Sequence, residues 1–168
     1  MKRNYWILPD THFGHSAMCE YCGRPSDFVE RILKSVKRIV YPNDILIHLG
    51  DFCIGSDEIW HRKFMIACIG RCWLIRGNHD RKSLGWYLNH GWDCVVDEIA
   101  LEIFGKRIVL SHKPIVDRDD FDLNIHGHQH NTVHHPEFEE TSKRRLLYIE
   151  HLYEPISLRR VVERGGCE

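Results

Sequence analysis

Short apolar runs, each closed by the same few polar residue types, constrain this chain more than anything else in it. Tyr5-Trp6-Ile7-Leu8 stops at Pro9 and opens into Asp10-Thr11-His12. Ile45-Leu46-Ile47 runs into His48-Leu49-Gly50-Asp51, and Cys72–Ile75 into Arg76-Gly77-Asn78-His79-Asp80. Arg107–Ser111 ends at Ser111-His112, and Leu123–His126 at Gly127-His128-Gln129-His130. Runs this short are strands rather than helices, and continuous apolarity marks strands buried inside an α/β layer. Ligands of such layers collect just past the carboxyl ends of the strands.

The intervening segments complete the α/β pattern. Ser26 or Asp27 can cap a helix through about Val40, in which Phe28, Val29, Ile32, Leu33, Val36 and Ile39 recur at helical spacing. Ser56–Gly70 has a capping serine, acidic Asp57 and Glu58 in its first turn, and a terminal glycine; Arg81–Asn89 reads as a short helix. From Asp93 onward strands prevail, over Asp93–Phe104, Arg107–Ser111, Leu123–His126, Leu146–His151 and Ile156–Val161, with a hairpin turn at Phe104-Gly105-Lys106. No linker or repeat interrupts the chain, so residues 1–168 are expected to form a single domain of two sheets face to face, with helices outside.

Composition narrows the function. A net charge of −1 gives no general attraction to nucleic acid or to an acidic membrane surface. No apolar run reaches membrane-spanning length and no signal peptide is recognisable, so a cytoplasmic location is expected. The 7 cysteines lack a framework spacing, in keeping with reduced thiols. Cys19 and Cys22 have zinc spacing, but no second pair follows them. The 13 histidines are the anomaly, because a chain uses imidazole at that density chiefly as a ligand or as an acid and base.

The strand ends suit metal chemistry. Asp10 and His12 are two residues apart, so in an extended chain both would leave the same face, a carboxylate and an imidazole aimed together at a divalent transition metal. The same argument pairs His128 with His130. Gly50 lets the backbone come close to whatever Asp51 holds.

Taken in order, Asp-x-His, Gly-Asp, Gly-Asn-His-Asp, Ser-His and Gly-His-x-His resemble the five motifs of the calcineurin-like metallophosphoesterase superfamily, in its small, cap-less bacterial or phage form. The resemblance spans Asp10 to His130. It implies a four-layer α/β/β/α sandwich with two metal ions at the strand ends and a bridging hydroxide attacking phosphorus in line. By motif position, Asp10, His12 and His130 would hold one ion, Asn78, His112 and His128 the other, and Asp51 would bridge them. His79 would be the catalytic histidine that meets a phosphoryl oxygen and protonates the leaving alkoxide. Asp80 would orient His79 or cap the next helix, the cap being preferred. His15 and Arg24 are candidates for substrate contact; ligand support for His15 and a surface position for Arg24 are the alternatives.

The set of His, Asp and Asn ligands suits Mn, Fe, Zn, Ni or Co without choosing among them. Gly50-Asp51 continues into Phe52-Cys53-Ile54 rather than the Val-Asp-Arg-Gly of protein Ser/Thr phosphatases, and only residues 113–127 separate His112 from His128, leaving no room for a cap. The expected substrate is therefore a small phosphate ester, a phosphodiester or a nucleotide, at an open site. A DNA or RNA nuclease is the alternative, disfavoured by the lack of a basic stripe; a non-catalytic scaffold is disfavoured by the complete ligand set. Oligomeric state is not legible.

Overall fold

In the computed structural model of the chain, residues 3–116, 118, 120–131 and 141–164 are described. The sequence leads one to expect a frayed end over Arg164–Glu168 and shows no ligand pattern for His134-His135; all of these but Arg164 lie outside those residues. A five-stranded sheet has the order β4-β3-β2-β1-β9, with β1 at Tyr5–Leu8, β2 at Ile45–His48, β3 at Arg71–Ile75, β4 at Cys94–Val96 and β9 at Ile156–Ser157. Its first four strands are parallel and β9 is antiparallel to β1. A four-stranded sheet runs β5-β6-β7-β8, formed by Glu98–Ile103, Lys106–Ser111, Leu123–His126 and Arg144–Leu146. There β5 and β6 are antiparallel, and β7 and β8 continue in parallel. Both sheets are thus mixed, and the fold is an α/β sandwich with flanking helices.

Strand alternation builds two cores. Ile7, Ile45, Ile47 and Ile75 of the first sheet meet Ile108, Leu110, Leu123 and Ile125 of the second. On the other face, Leu8, Leu46 and Leu74 pack against helices α2 (Phe28–Ile39) and α3 (Asp57–Ala67) through Ile32, Val36 and Phe64. The short helix α1 (Met18–Tyr21) lies in the loop after β1, and α4 (Leu84–Asn89) precedes β4. Ser83 caps α4 by accepting from the Trp86 amide at 3.2 Å. Ser56, by contrast, sits at φ 51° and makes no side-chain cap.

The second half of the chain differs from expectation in three places. The run Asp93–Phe104 is not one strand: it breaks at Asp97, leaving β4 in the first sheet and β5 in the second. Leu146–His151 is only partly extended, since β8 ends at Leu146 and Ile149–His151 forms a 3-10 turn. Ile156–Val161 is a two-residue strand followed by helix α5 (Leu158–Arg164). Leu158, Val161 and Val162 bury their side chains in the inter-sheet core, and that three-four spacing is helical. The hairpin turn between β5 and β6 is as expected, with Phe104 and Gly105 both left-handed at φ 55° and 73°.

Two histidines are part of this core as neutral rings. His61 Nδ1 accepts from the Trp92 indole at 2.8 Å. His48 Nδ1 accepts from the Gly50 amide at 3.1 Å, which leaves its Nε2–H to meet Thr11 Oγ1 at 3.0 Å. Burial lowers His48 to about 3 and His61 to about 4. Below the ordinary value of 6.5 the unfolded chain takes up protons that these folded rings refuse, so their contribution is complete above pH 6.5 and is lost as pH falls toward 4. At pH 5 the loss is about 2 kcal/mol per ring. His61→Gln keeps an acceptor for Trp92 but does not titrate. Urea unfolding of the metal-free protein should show that this variant loses about 2 kcal/mol less than the parent between pH 7 and 5; parallel profiles would contradict the argument.

Candidate metal centre

Five of the seven expected ligands stand on left-handed backbone: Asp10 (φ 42°), His12 (46°), Asp51 (52°), His128 (73°) and His130 (47°). The extended geometry expected for Asp10 with His12, and for His128 with His130, is therefore absent. β1 ends at Leu8 and β7 at His126, and the chain turns sharply at each end instead of continuing the pleat. Non-glycine residues adopt this conformation at a cost that the surroundings must offset. Here tertiary hydrogen bonds do so. The His12 amide donates to Asp51 O at 3.0 Å, the Phe13 amide to Phe52 O at 2.9 Å, and the His128 amide to both Asp10 carboxylate oxygens at 3.0 Å.

These turns bring all seven side chains together in two groups around Asp51. Donor atoms of Asp10, His12 and His130 lie within 4.8 Å of one another, and so do those of Asp51, His112 and His128. Asn78 joins the second group, its Oδ1 lying 3.0 Å from His112 Nε2. Asp51 Oδ2 sits between the groups, 3.6 Å from His12 Nε2 and 3.4 Å from His112 Nε2, with His79 Nε2 at 3.9 Å. His79 itself stands at the mouth, its side chain 40% exposed and its ring 5.5 Å from that of His12. His15 lies further out, its ring centroid 6.0 Å from His12 and from Tyr21.

The donor chemistry fits two cations. His112 Nδ1 donates to Leu49 O at 2.8 Å, which turns Nε2 inward. Nε2 faces Asn78 Oδ1 at 3.0 Å, His128 Nδ1 at 3.1 Å and Asp51 Oδ2 at 3.4 Å. Oxygens and ring nitrogens crowded this closely need a cation or a proton among them. Among the described residues neither buried ring nitrogen of His12 has a hydrogen-bond partner, which is costly for a group with no ligand to meet.

Electrostatics agree. Burial works to lower His112, yet the hydrogen bond and charge of Asp51, with Asp10 nearby, raise it to about 9, a proton standing where positive charge is favoured. Burial opposes ionisation of Asp51, but the hydrogen bond and charge of His112 hold its carboxyl well below the usual range. Asp10 rises to about 6 through burial, and burial lowers His12 to about 2.

Two residues behind the ligands carry roles different from those expected, and a third was not foreseen. Asp80 neither caps α4 nor touches His79. Its carboxylate accepts from the backbone amides of Asp51 and Gly77 at 2.8 Å each and of Phe52 at 3.1 Å, clasping the loops after β2 and β3 together. Arg24 is neither on the surface nor open to substrate. Its side chain is fully buried, with Nη1 donating to Thr11 O and Nη2 to Asp10 O, both at 2.8 Å. Its counter-ion is Glu150, which no motif pointed to; a carboxylate directly after the apolar run Leu146-Leu147-Tyr148-Ile149 was the available signal, since a buried charge requires a partner. Donor atoms of Cys22, His130 and Glu150 also lie within 4.8 Å, but Glu150 is committed to Arg24 and burial pushes the Cys22 thiol up to about 11, which keeps it protonated.

A cleft of about 360 Å³ opens over the ligands, and Met18, Tyr21 and Cys22 of the α1 segment form its apolar wall.

Two mixed sheets whose strand ends converge on paired carboxylate, imidazole and amide donors define a metal-dependent phosphoesterase architecture. The chain belongs to the calcineurin-like phosphoesterase family, whose profile matches residues 4–132. An uncharacterized protein of Methanocaldococcus jannaschii is 26% identical over 174 residues, covering 96% of this chain and 90% of the relative. The crystal structure of a protein of unknown function from Aquifex aeolicus is 27% identical with a TM-score of 0.74, covering 97% of this chain and all of that one. An archaeal phosphodiesterase shares the fold at 19% identity and a TM-score of 0.52, covering 86% of this chain and 82% of its own. Among the described residues no helix is long and apolar enough to cross a membrane.

Proposed function

We propose that this chain is a dinuclear metal-dependent phosphodiesterase acting on a nucleotide or a similar small phosphate ester. The observation that carries the reading is the inward-facing Nε2 of His112, set within 3.4 Å of Asn78 Oδ1, His128 Nδ1 and Asp51 Oδ2, with His12 and Asp10 across the Asp51 carboxylate. Asp10, His12 and His130 would hold one ion, Asn78, His112 and His128 the other, and Asp51 would serve both. When bound, the two ions would supply an ionised water as nucleophile and neutralise charge developing on the phosphoryl oxygens. The metal is one of Mn, Fe, Zn, Ni or Co.

The protein's own part is positioning and proton transfer. His79 lines the cleft with its backbone amide donating to Asp51 Oδ1 at 2.9 Å, so its main chain is anchored beside the ligands while its ring is not needed as one. There it can meet a phosphoryl oxygen and deliver a proton to the departing alkoxide. Among the described residues no lysine or arginine lines the cleft, and the buried guanidinium of Arg24 is committed to Glu150, Asp10 and Thr11. A phosphodiester with one negative charge suits such a site better than a dianionic monoester. The same lack of cationic lining, with the net charge of −1, argues against a polymer substrate, whose binding rests on many phosphate contacts.

Reconstitution with each candidate metal, followed by a screen of diesters, monoesters and nucleotides beside elemental analysis, tests the reading. Turnover of diesters with two bound ions is expected; the absence of any metal-dependent hydrolysis would refute it. His79→Ala should lower kcat by roughly 10²–10⁴-fold with both ions retained. Loss of an ion from that variant would make His79 a ligand instead.

A further inference from the structure

An ion pair stands directly behind the group formed by Asp10, His12 and His130, and its acidic member lies outside the residues that match the family profile. Arg24 Nη2 and Nε reach Glu150 Oε1 at 2.6 and 2.9 Å, with the two side chains 0% and 6% exposed. Glu150 Oε1 also lies 3.4 Å from His130 Nδ1, and Arg24 Nη2 lies 3.5 Å from the same atom. The other donors of Arg24 hold the carbonyls of Asp10 and Thr11, so the guanidinium staples the left-handed turn from which Asp10 and His12 project.

This staple has an electrostatic penalty of its own. A guanidinium does not give up its proton, so Arg24 is a permanent positive charge in contact with residues that would hold a dication. Like charges so close in a poorly solvated site repel strongly. A buried ion pair also contributes little to stability compared with well-packed apolar side chains, so fold stability alone does not account for it. Glu150 removes the conflict: it cancels the charge of Arg24 and leaves its geometry in place.

We propose that Glu150 is a positioning residue for the cation subsite of Asp10, His12 and His130, neutralising Arg24 so that the arginine can hold the Asp10–Thr11 turn without repelling the ion. The proposal rests on the two-ion reading above, and its test separates the two. Calorimetric titration of the metal-free protein with Mn²⁺, with elemental analysis after dialysis, should give two ions for the parent chain. One ion or none in the parent would overturn the two-ion reading itself, whatever Glu150 does.

Given two ions in the parent, Glu150→Gln should weaken one of them by roughly 10- to 100-fold and leave the other unchanged. Glu150→Gln keeps the size and shape of the side chain and removes only its charge, so a merely structural role for Glu150 predicts two ions bound with parental affinity, and that outcome would overturn the proposal. Glu150→Asp, which keeps the charge with a shorter reach, covers the case in which the glutamine variant fails to fold. It should hold both ions within a few-fold of the parent, and loss of the first ion from it would overturn the charge-balance argument.

Discussion

Asp51→Asn should leave a folded chain that no longer holds two ions and no longer hydrolyses phosphate esters. The substitution is nearly isosteric, and the amide oxygen can still accept from the His79 backbone amide, as Oδ1 does now at 2.9 Å. What it removes is the negative charge at Oδ2, which lies 3.6 Å from His12 Nε2 on one side and 3.4 Å from His112 Nε2 on the other. Two divalent ions about 3.5–4 Å apart repel with four times the energy of two unit charges at that distance, so a shared anion is needed to hold them together. Turnover should fall by roughly 10³-fold or more, and elemental analysis should find at most one ion. Two ions and parental turnover in this variant would remove Asp51 from the shared position.

Much of this site is legible in the sequence because each donor follows its strand within a few residues. The apolar runs before Asp10, Asp51, Asn78, His112 and His128 are strands β1, β2, β3, β6 and β7, and all seven side chains meet. How they meet is not local information. Alternation along an extended chain aims Asp10 and His12 together, but the backbone is left-handed at both, and the bonds that hold it so come from Asp51, Arg24 and the amide of His128. Arg24 shows the same limit. A lone arginine in a Gly- and Pro-containing loop reads as a surface residue, and its burial depends on Glu150, 126 residues further along the chain. The carboxyl-terminal segments failed for another reason: Leu158, Val161 and Val162 follow a two-residue strand so closely that strand and helix patterns overlap.

Gly77→Ala should disrupt the site from behind. A Cβ at Gly77 would overlap the carboxylate and the backbone nitrogen of Asp51, neither of which can give way freely. Asp51 is held by the Asp80 carboxylate through its amide and by the His79 amide through its own carboxylate. The backbone on the other side is equally close, since a Cβ on Gly50 would lie 2.5 Å from Gly77 N. Strain of this kind typically costs about 1–3 kcal/mol, and its relief here requires Asp51 to leave the position between the two groups. The variant should therefore melt at a lower temperature and lose Mn²⁺ binding together. Gly85→Ala in α4 is the control, because nothing lies within 4 Å of the added methyl there and alanine is the better helix former. That variant should gain up to about 1 kcal/mol and bind both ions as the parent does. Opposite signs at the two positions would trace the effect to contact with Asp51 rather than to the general preference for alanine over glycine; a Gly77→Ala protein with an unchanged melting temperature and two ions would show that the strand ends are not packed as tightly as this geometry requires.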